Sequence, residues 1–342
     1  YAEPPQGMTM PDGRAREREV RELSVRRRGW AAAGVFLLAV ADLVSAQILR
    51  LPDAACAEVG EAGDGFESAW PSWPSGGEGG MSGSGDRLIA IPGFESNPAY
   101  VQRRYFWFVP EAPRPGPMPL VVALHGTAGT PANAYREARI VRDLWVDAAR
   151  RHGFAVLAPV AGGSRGSWIA PVAAGDAPTD YDVIAAMIAD LESRFDIERA
   201  RRYLWGFSAG GHVALDVVVN PLHAGLGRRQ FAAVGVNAGV LAGLACSDPA
   251  DAACRAALAE AFPRLPVQVL VGDGDSLGIH VAADAPRFLG TGWVNGRNYA
   301  AATFVGGHWV AFDHPDRHWD WLCRFGRVLD PIERFRLRPQ VP

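Results

Sequence analysis

The residue best placed to do chemistry is Ser208, in the stretch Gly206-Phe-Ser-Ala-Gly210. A short apolar run, Tyr203 to Phe207, precedes it, and a segment of helical character follows up to Pro221. The G-x-S-x-G spacing is typical of a sharp strand-to-helix turn, where side chains at the two glycine positions would collide with neighbouring backbone. A serine on such a turn can attack an acyl carbonyl, although an ordinary glycine-rich turn has the same pattern.

A serine hydroxyl needs a base within hydrogen-bond reach and a group that orients the base. The run Val269-Leu-Val-Gly-Asp-Gly-Asp275 ends in two carboxylates, and Phe304-Val-Gly-Gly-His308 ends in a histidine behind two glycines. Both lie where a strand opens into a loop, which is where α/β sheets build sites. We predict His308 as the base and Asp275 as the acid, because Asp275 leads into the loop that must reach the histidine. Asp273 then caps a turn or meets solvent.

The sequence contains eight histidines, and His308 is the one that follows both serine and acid at a strand end. His314 and His318 have the spacing of a metal pair on a helix, but ordinary surface residues of a helix have the same spacing. His125 is interpreted as structural. The predicted chemistry requires no metal and no cofactor.

The developing oxyanion of such a reaction needs two backbone N–H groups. Ala209, directly after the nucleophile, supplies one. The loop His125-Gly-Thr127, which follows an apolar strand, supplies the other, with Thr127 as the preferred donor. Trp168 and Trp309 are candidates to line the substrate pocket, and core packing explains either of them equally well.

Alternating strands and helices must position these residues. Thr130 and Pro131 begin a helix that Gly153 ends, and Thr179 with Asp182 forms a capping box for the next one. A late helix is expected over 316–328. Apolar runs predict strands at 101–109, 120–124, 154–158, 203–207, 231–236, 267–271 and 301–305. This order predicts an α/β fold with a mostly parallel central sheet and helices on both faces.

The 342 residues carry a net charge of only −3, which gives no indication of nucleic-acid binding. Arg26-Arg-Arg28 precedes an apolar run from Trp30 to Leu38, as in a signal peptide. Asp42 interrupts that run short of the roughly 20 apolar residues of a membrane span. We therefore expect export by the Sec or twin-arginine route to a secreted or periplasmic location, without stable membrane insertion.

Composition divides the chain further. Residues 1–46 are predicted as a basic region and signal peptide, and 47–86 as a flexible linker rich in Gly, Ser and Pro. The catalytic domain is expected over 87–330 and a C-terminal tail over 331–342.

The four cysteines fit an oxidising compartment. A local disulfide between Cys246 and Cys254 is the first choice, which leaves Cys56 and Cys323 as a possible long-range pair; four unpaired thiols are the alternative.

With these residues placed, the chain resembles the α/β-hydrolase superfamily, and within it the polyhydroxybutyrate depolymerase and feruloyl/acetylxylan esterase group. Trp168 matches a pocket tryptophan of that group. The stretches that carry the resemblance are Pro119–Gly126, Asp182–Phe195, Gly206–Gly211, Gly272–Asp275 and Gly307–Trp309.

The resemblance implies a secreted serine esterase that cleaves a small or polymeric carboxylic ester through an acyl-enzyme. Three alternatives stay open at this point. They are a peptidase of the prolyl oligopeptidase type, a lipase or cutinase acting on long acyl chains or polyesters, and a non-catalytic exported binding protein that retains the fold.

Overall fold

The computed structural model describes residues 48–51, 53–58, 72–97, 100–111, 116–173, 175–220, 226–248, 250 and 252–327. The predicted signal peptide and the predicted C-terminal tail, 331–342, lie outside these residues. Within the described ranges, no helix is both long enough and apolar enough to cross a membrane.

One sheet of eight strands organises the described part of the chain. The strands are β2 (Gly83–Ile89), β3 (Arg103–Val109), β4 (Met118–Leu124), β5 (Ala155–Pro159), β6 (Ile197–Phe207), β7 (Ala233–Asn237), β8 (Val267–Gly272) and β9 (Tyr299–Phe304). They lie in the order β2-β3-β5-β4-β6-β7-β8-β9. In that order all neighbours from β5 to β9 are parallel, whereas β3 runs antiparallel to both β2 and β5. The predicted mostly parallel sheet is therefore confirmed.

Helices cover both faces of this sheet. The central strand β4 is buried along its whole length, as expected for an apolar strand with helices on both sides. The helices are α1 (Pro131–His152), α2 (Asp180–Arg194), α3 (Ala209–Val219), α4 (Ala252–Glu260), α5 (Gly278–Leu289) and α6 (His314–Leu322). Two of them, α1 and α6, pack on one face, where Trp145 and Trp319 are fully buried. The other helices bury Met187, Val217 and Phe288 on the opposite face.

Local sequence signals set the ends of the two best-predicted helices. Thr130 caps α1 by accepting a hydrogen bond from the Asn133 N–H at 3.1 Å, and Gly153 ends it in the left-handed conformation with φ 68°. The capping box of α2 forms as predicted, because the Asp182 carboxylate accepts the Thr179 N–H at 2.7 Å.

The register of the parallel strands brings their carboxyl ends to one edge. Each strand from β4 to β9 ends within a residue or two of its neighbour, so the loops that follow them meet at that edge. The functional candidates of the sequence all lie in or beside these loops. The pairs nearest the edge are Leu124 with Gly206, Phe207 with Asn237, Asn237 with Leu270, and Gly272 with Phe304.

The prediction of a flexible linker over 47–86 is wrong for the parts that the structure describes. Strand β2 starts at Gly83 within it, and the backbone N–H of Ser75 bonds to the Ile197 carbonyl at 2.8 Å. A Cβ on Gly77 would lie 2.5 Å from the Phe195 backbone, so this glycine allows close approach rather than flexibility. Low apolar content did not prevent ordering, because the segment docks on an existing domain and uses backbone contacts.

The predicted late helix, 316–328, is also wrong at both ends. Helix α6 runs over His314–Leu322, and Phe325–Arg327 forms a strand, β10, that pairs antiparallel with β1 (Ile48–Arg50). The side chain of Leu51 packs on Gly326, where a Cβ would lie 3.0 Å from it. The pairing partner lies far away in sequence, so the helical periodicity alone could not show it.

Both cysteine pairs form disulfides. Cys56 and Cys323 have Cα atoms 5.2 Å apart and lie 267 residues apart in the sequence; Cys246 and Cys254 have Cα atoms 5.5 Å apart and lie 8 residues apart. The long-range bond joins the segment of β1 to the end of α6. It therefore ties the first described residues to the last ones.

We expect removal of the long-range disulfide to destabilise the protein more than removal of the local one. By chain entropy, the Cys56→Ser/Cys323→Ser variant loses about 5 kcal/mol of the free energy of unfolding, and Cys246→Ser/Cys254→Ser about 2.5 kcal/mol. Urea unfolding of both double variants measures the difference. Equal losses, or free alkylatable thiols in the unreduced wild type, would contradict the assignment.

Candidate active site

Ser208 lies on a strained turn between β6 and α3. Its backbone angles are φ 51° and ψ −117°, a left-handed φ that residues other than glycine seldom adopt. Such strain costs on the order of 1–3 kcal/mol and persists where the surroundings hold it in place. The holding contacts are the Ser208 N–H to the Asn237 carbonyl, 2.9 Å, and the His212 N–H to the Ser208 carbonyl, 2.9 Å.

The glycines beside Ser208 are required by space, as the sequence predicted. A Cβ on Gly206 would lie 2.1 Å from the Gly210 carbonyl oxygen, and a Cβ on Gly210 would lie 2.5 Å from the Leu124 carbonyl oxygen. Real Cβ atoms do not approach backbone this closely, so the turn can pass over the end of β4 only with glycine at both positions.

The three predicted side chains Ser208, His308 and Asp275 are hydrogen-bonded in a row. The His308 Nε2 lies 2.9 Å from the Ser208 Oγ, and the His308 Nδ1 lies 2.7 Å from the Asp275 Oδ2. The Asp275 carboxylate is fully buried, and its other oxygen accepts the Leu277 N–H at 2.9 Å. An imidazole whose Nδ1 faces a carboxylate donates there, which leaves Nε2 to accept the serine proton.

Asp273 does not join this row. Its Oδ1 accepts the Gly306 N–H at 2.9 Å, and its own N–H donates to the Phe304 carbonyl at 2.8 Å. These bonds join the loop after β8 to the loop after β9. Asp273 is thus the turn-capping carboxylate, and Asp275 is the one directed at the histidine.

The loop after β4 lies directly against the serine. A Cβ on Gly126 would be 3.1 Å from the Ser208 Cβ, so the backbone of this loop borders the nucleophile turn. The N–H groups of Thr127 and Ala209, the two predicted oxyanion donors, have no acceptor among the described residues. Ala209 is the first residue of α3, where N–H groups are left unpaired and the helix dipole favours negative charge.

His125 holds this loop in place rather than taking part in the row. Its Nε2 accepts the Ala161 N–H at 3.2 Å, so the proton is on Nδ1, which donates to the Gly126 carbonyl at 2.6 Å. Burial lowers the pKa of His125, which keeps the ring neutral. Trp168, one of the two pocket candidates, is buried against this ring, and its Nε1 donates to the His125 carbonyl at 2.8 Å.

Trp309, the other pocket candidate, is 53% exposed and follows His308 directly. Its ring lies over Gly306, where a Cβ would be 2.4 Å from the indole. The Trp309 carbonyl accepts the Asn237 Nδ2 at 3.0 Å. The structure therefore buries Trp168 against the loop 125–127 and leaves Trp309 open at the surface.

Asn237 is a site residue that sequence reasoning missed. Its side chain bonds to the His308 loop, and its carbonyl accepts the Ser208 N–H, so one buried residue joins the loops of the serine and the histidine. Asn237 ends the apolar strand β7. A polar residue at the end of a buried parallel strand was the signal available to find it.

His212 is half-buried, and the metal-pair candidates His314 and His318 are buried. His212 packs against Gly243, and burial, with a smaller contribution from the charge of His308, lowers its pKa. His314 and His318 face the core, contrary to the expected helix surface, and burial holds the pKa of His318 well below its usual value. Over the described ranges, no group of three or more His, Cys, Asp or Glu side chains is placed to hold a metal ion.

Comparison with known proteins identifies the fold of the chain. No protein-family model and no curated protein sequence matches the chain. Among solved structures, the fluorophosphonate-binding serine hydrolase F of Staphylococcus aureus matches with a TM-score of 0.51 and 16% identity, over 71% of this chain and 99% of that one. A feruloyl esterase module from Clostridium thermocellum matches with a TM-score of 0.49 and 16% identity, over 82% and 93%. The chain has the α/β-hydrolase fold, as its sequence predicted.

We expect Gly206→Ala to destabilise the protein severely, by about 3 kcal/mol or more, because the new methyl group overlaps backbone that cannot move away. Gly278→Ala, at the first residue of α5, is the matched control, since its nearest neighbour would be 3.7 Å away. Thermal unfolding of the two variants measures the contrast. A Gly206→Ala protein as stable as the control would contradict this geometry of the turn.

Proposed function

We propose that this chain is a serine esterase that hydrolyses carboxylic esters through an acyl-enzyme. The observation that carries the proposal is the row Asp275–His308–Ser208, with the serine on a strained turn and a buried carboxylate behind the histidine. A nucleophile, a base and an orienting group in this order meet the chemical requirement for acyl transfer.

In the first half of the reaction, the Ser208 Oγ attacks the ester carbonyl carbon while its proton passes to the His308 Nε2. The carbonyl oxygen becomes an oxyanion, and the N–H groups of Thr127 and Ala209 donate to it. The intermediate then collapses, the carbon–oxygen bond to the alcohol breaks, and His308 returns its proton to the leaving oxygen. Asp275 stabilises the imidazolium through the Nδ1 hydrogen bond.

In the second half, water attacks the acyl-enzyme. His308 takes a proton from the water, the same two N–H groups hold the second oxyanion, and Ser208 receives the proton when the acid departs. Every proton movement in this scheme uses the side chains of the row. It calls for neither a metal nor a cofactor.

The surroundings of His308 support an apolar substrate. Val305 and Trp309 lie on the same loop as the histidine and are 90% and 53% exposed. Burial of such side chains against a ligand is favourable by about 25 cal/mol per Å² of apolar area. A feruloyl ester or a polyhydroxybutyrate chain, the substrates that the family resemblance implies, would both supply apolar surface.

The two disulfides support an oxidising compartment, and so export. We propose a catalytic domain over 87–330, with the addition of β2 from Gly83. It acts on an ester substrate in that compartment and binds no nucleic acid. A screen of acetyl, long-chain acyl, feruloyl and polyhydroxybutyrate esters, together with proline-containing peptides, separates the esterase from the peptidase and lipase alternatives.

We expect Ser208→Ala to reduce hydrolysis of p-nitrophenyl acetate by a factor of about 10³ or more, because the acyl-enzyme can no longer form. The melting temperature should not fall, since the change removes one oxygen from a half-buried residue and leaves the packing of the turn as it is. Activity of the variant close to that of the wild type would reject the proposed function, as would a wild-type protein that cleaves none of the esters.

The two carboxylates of the β8 loop should differ in their effect on kcat. Asp275→Asn removes the charge that orients and stabilises His308, and we expect kcat to fall by a factor of about 10³–10⁴. Asp273→Asn keeps an oxygen acceptor for the Gly306 N–H, so kcat should stay within about threefold of the wild-type value. Steady-state kinetics of the two variants measure this difference. Equal losses of kcat would mean that Asp275 has no special role.

A further inference from the structure

We infer that Asp180 is a positioning residue for the oxyanion donor Thr127, acting through the loop 160–169. This inference rests on the proposed function, because it assigns Thr127 a role in the reaction. Asp180 is the first residue of α2, and the sequence shows it only as part of a helix start. The structure gives it a second set of contacts that the helix start does not require.

The carboxylate of Asp180 is fully buried and accepts three hydrogen bonds. Its Oδ1 accepts the Arg103 Nη2 at 2.6 Å, and its Oδ2 accepts the N–H groups of Gly162 at 3.0 Å and Ile169 at 2.9 Å. The Asp180 N–H also donates to the Ile169 carbonyl at 2.9 Å. One side chain therefore holds both ends of the loop 160–169.

Arg103 completes this clamp. Its Nη2 also donates to the Val160 carbonyl at 3.1 Å, which joins the start of the loop to the same ion pair. The guanidinium packs directly on Gly162, where a Cβ would lie 2.7 Å from that nitrogen. A buried carboxylate with three charge-assisted or backbone donors is rigid, because any displacement leaves a donor unpaired in a dry environment.

The clamped loop in turn holds the oxyanion loop. The Gly166 carbonyl accepts the Ala128 N–H at 3.1 Å, and the Trp168 Nε1 donates to the His125 carbonyl at 2.8 Å. These contacts fix the residues on either side of Thr127. The Thr127 Oγ1 itself lies 3.5 Å from the Ser167 Oγ.

The two proposed donors differ in what fixes them. Ala209 belongs to α3 and to the turn of the nucleophile, so its N–H is held by the helix. Thr127 is exposed and belongs to a loop, so its N–H direction depends on the contacts that hold this loop. These come from 160–169 and from Asn133 of α1, whose Nδ2 donates to the Ala128 carbonyl at 3.1 Å. Oxyanion stabilisation requires donors at hydrogen-bond distance from the position that the developing charge will occupy, and a small displacement of one donor lowers the rate.

The test is Asp180→Asn, which keeps the shape but places an NH2 group against at least one of the three donors. We expect kcat for an ester to fall by a factor of about 10–100, less than the 10²–10³ for complete loss of one oxyanion donor, while KM changes less than about threefold. Affinity for an arylboronic acid should fall by the same factor as kcat/KM. The boron accepts the Ser208 oxygen and becomes a tetrahedral anion, so it reports on stabilisation of the intermediate.

Asp190→Asn is the matched control. Asp190 lies on the same helix, but its partners Arg87 and Tyr105 belong to β2 and β3, away from the loop. Its loss should lower the melting temperature without changing kcat or boronic-acid binding. If Asp180→Asn fails to fold, Arg103→Lys tests the same clamp with the charge retained, and a kcat loss of about 3–10-fold with parallel weakening of boronic-acid binding is expected.

The outcomes separate this inference from the proposed function. A wild-type protein that neither hydrolyses esters nor binds the boronic acid would end the proposed function. A wild-type protein that does both, with a folded Asp180→Asn or Arg103→Lys variant of equal kcat and boronic-acid affinity, would overturn the positioning role alone. Loss of kcat without loss of boronic-acid affinity would also overturn it, because the oxyanion site would then be intact.

Discussion

The site depends on how closely the nucleophile turn approaches the end of β4. Ser208 can lie at the carboxyl edge of the sheet only because the backbone at Gly206 and Gly210 packs against main-chain atoms without an intervening side chain. This approach also brings the loop of Gly126 against the serine. The positive φ of Ser208 is the consequence of the close contact, and the hydrogen bond from its N–H to the Asn237 carbonyl keeps the turn closed.

The same register explains why residues distant in sequence meet. Neighbouring parallel strands end together, so the loops after β6, β8 and β9 meet at one edge, and 100 residues separate the two partners Ser208 and His308. Backbone bonds then fix the loops to one another. Gly274 donates to the Gly306 carbonyl at 2.8 Å, and Asp273 bonds to the same glycine. The loop of His308 is thus held by the loop of Asp275.

The sequence could predict which side chains meet in the row Asp275–His308–Ser208, because each lies at the end of an apolar strand beside glycines. The residues that hold them were missed. Asn237 bonds to Trp309, 72 residues away, and Asp180 bonds to Arg103, 77 residues away, while Asp180 has the local pattern of an ordinary helix start. The segment of Ser75 was missed for a related reason: its order comes from a docking surface on Phe195 and Ile197 that its own composition does not show.

His308 lies in a different environment from the buried and half-buried histidines near the core. A general base changes its charge in every turnover, and burial in an apolar environment opposes the charged form. It lowers the pKa of His125, His212 and His318, and those rings pack or hold loops. The His308 side chain is 42% exposed and lies against the fully buried carboxylate of Asp275. It therefore combines solvent contact with a fixed negative partner, which are the conditions under which an imidazole can accept and return a proton.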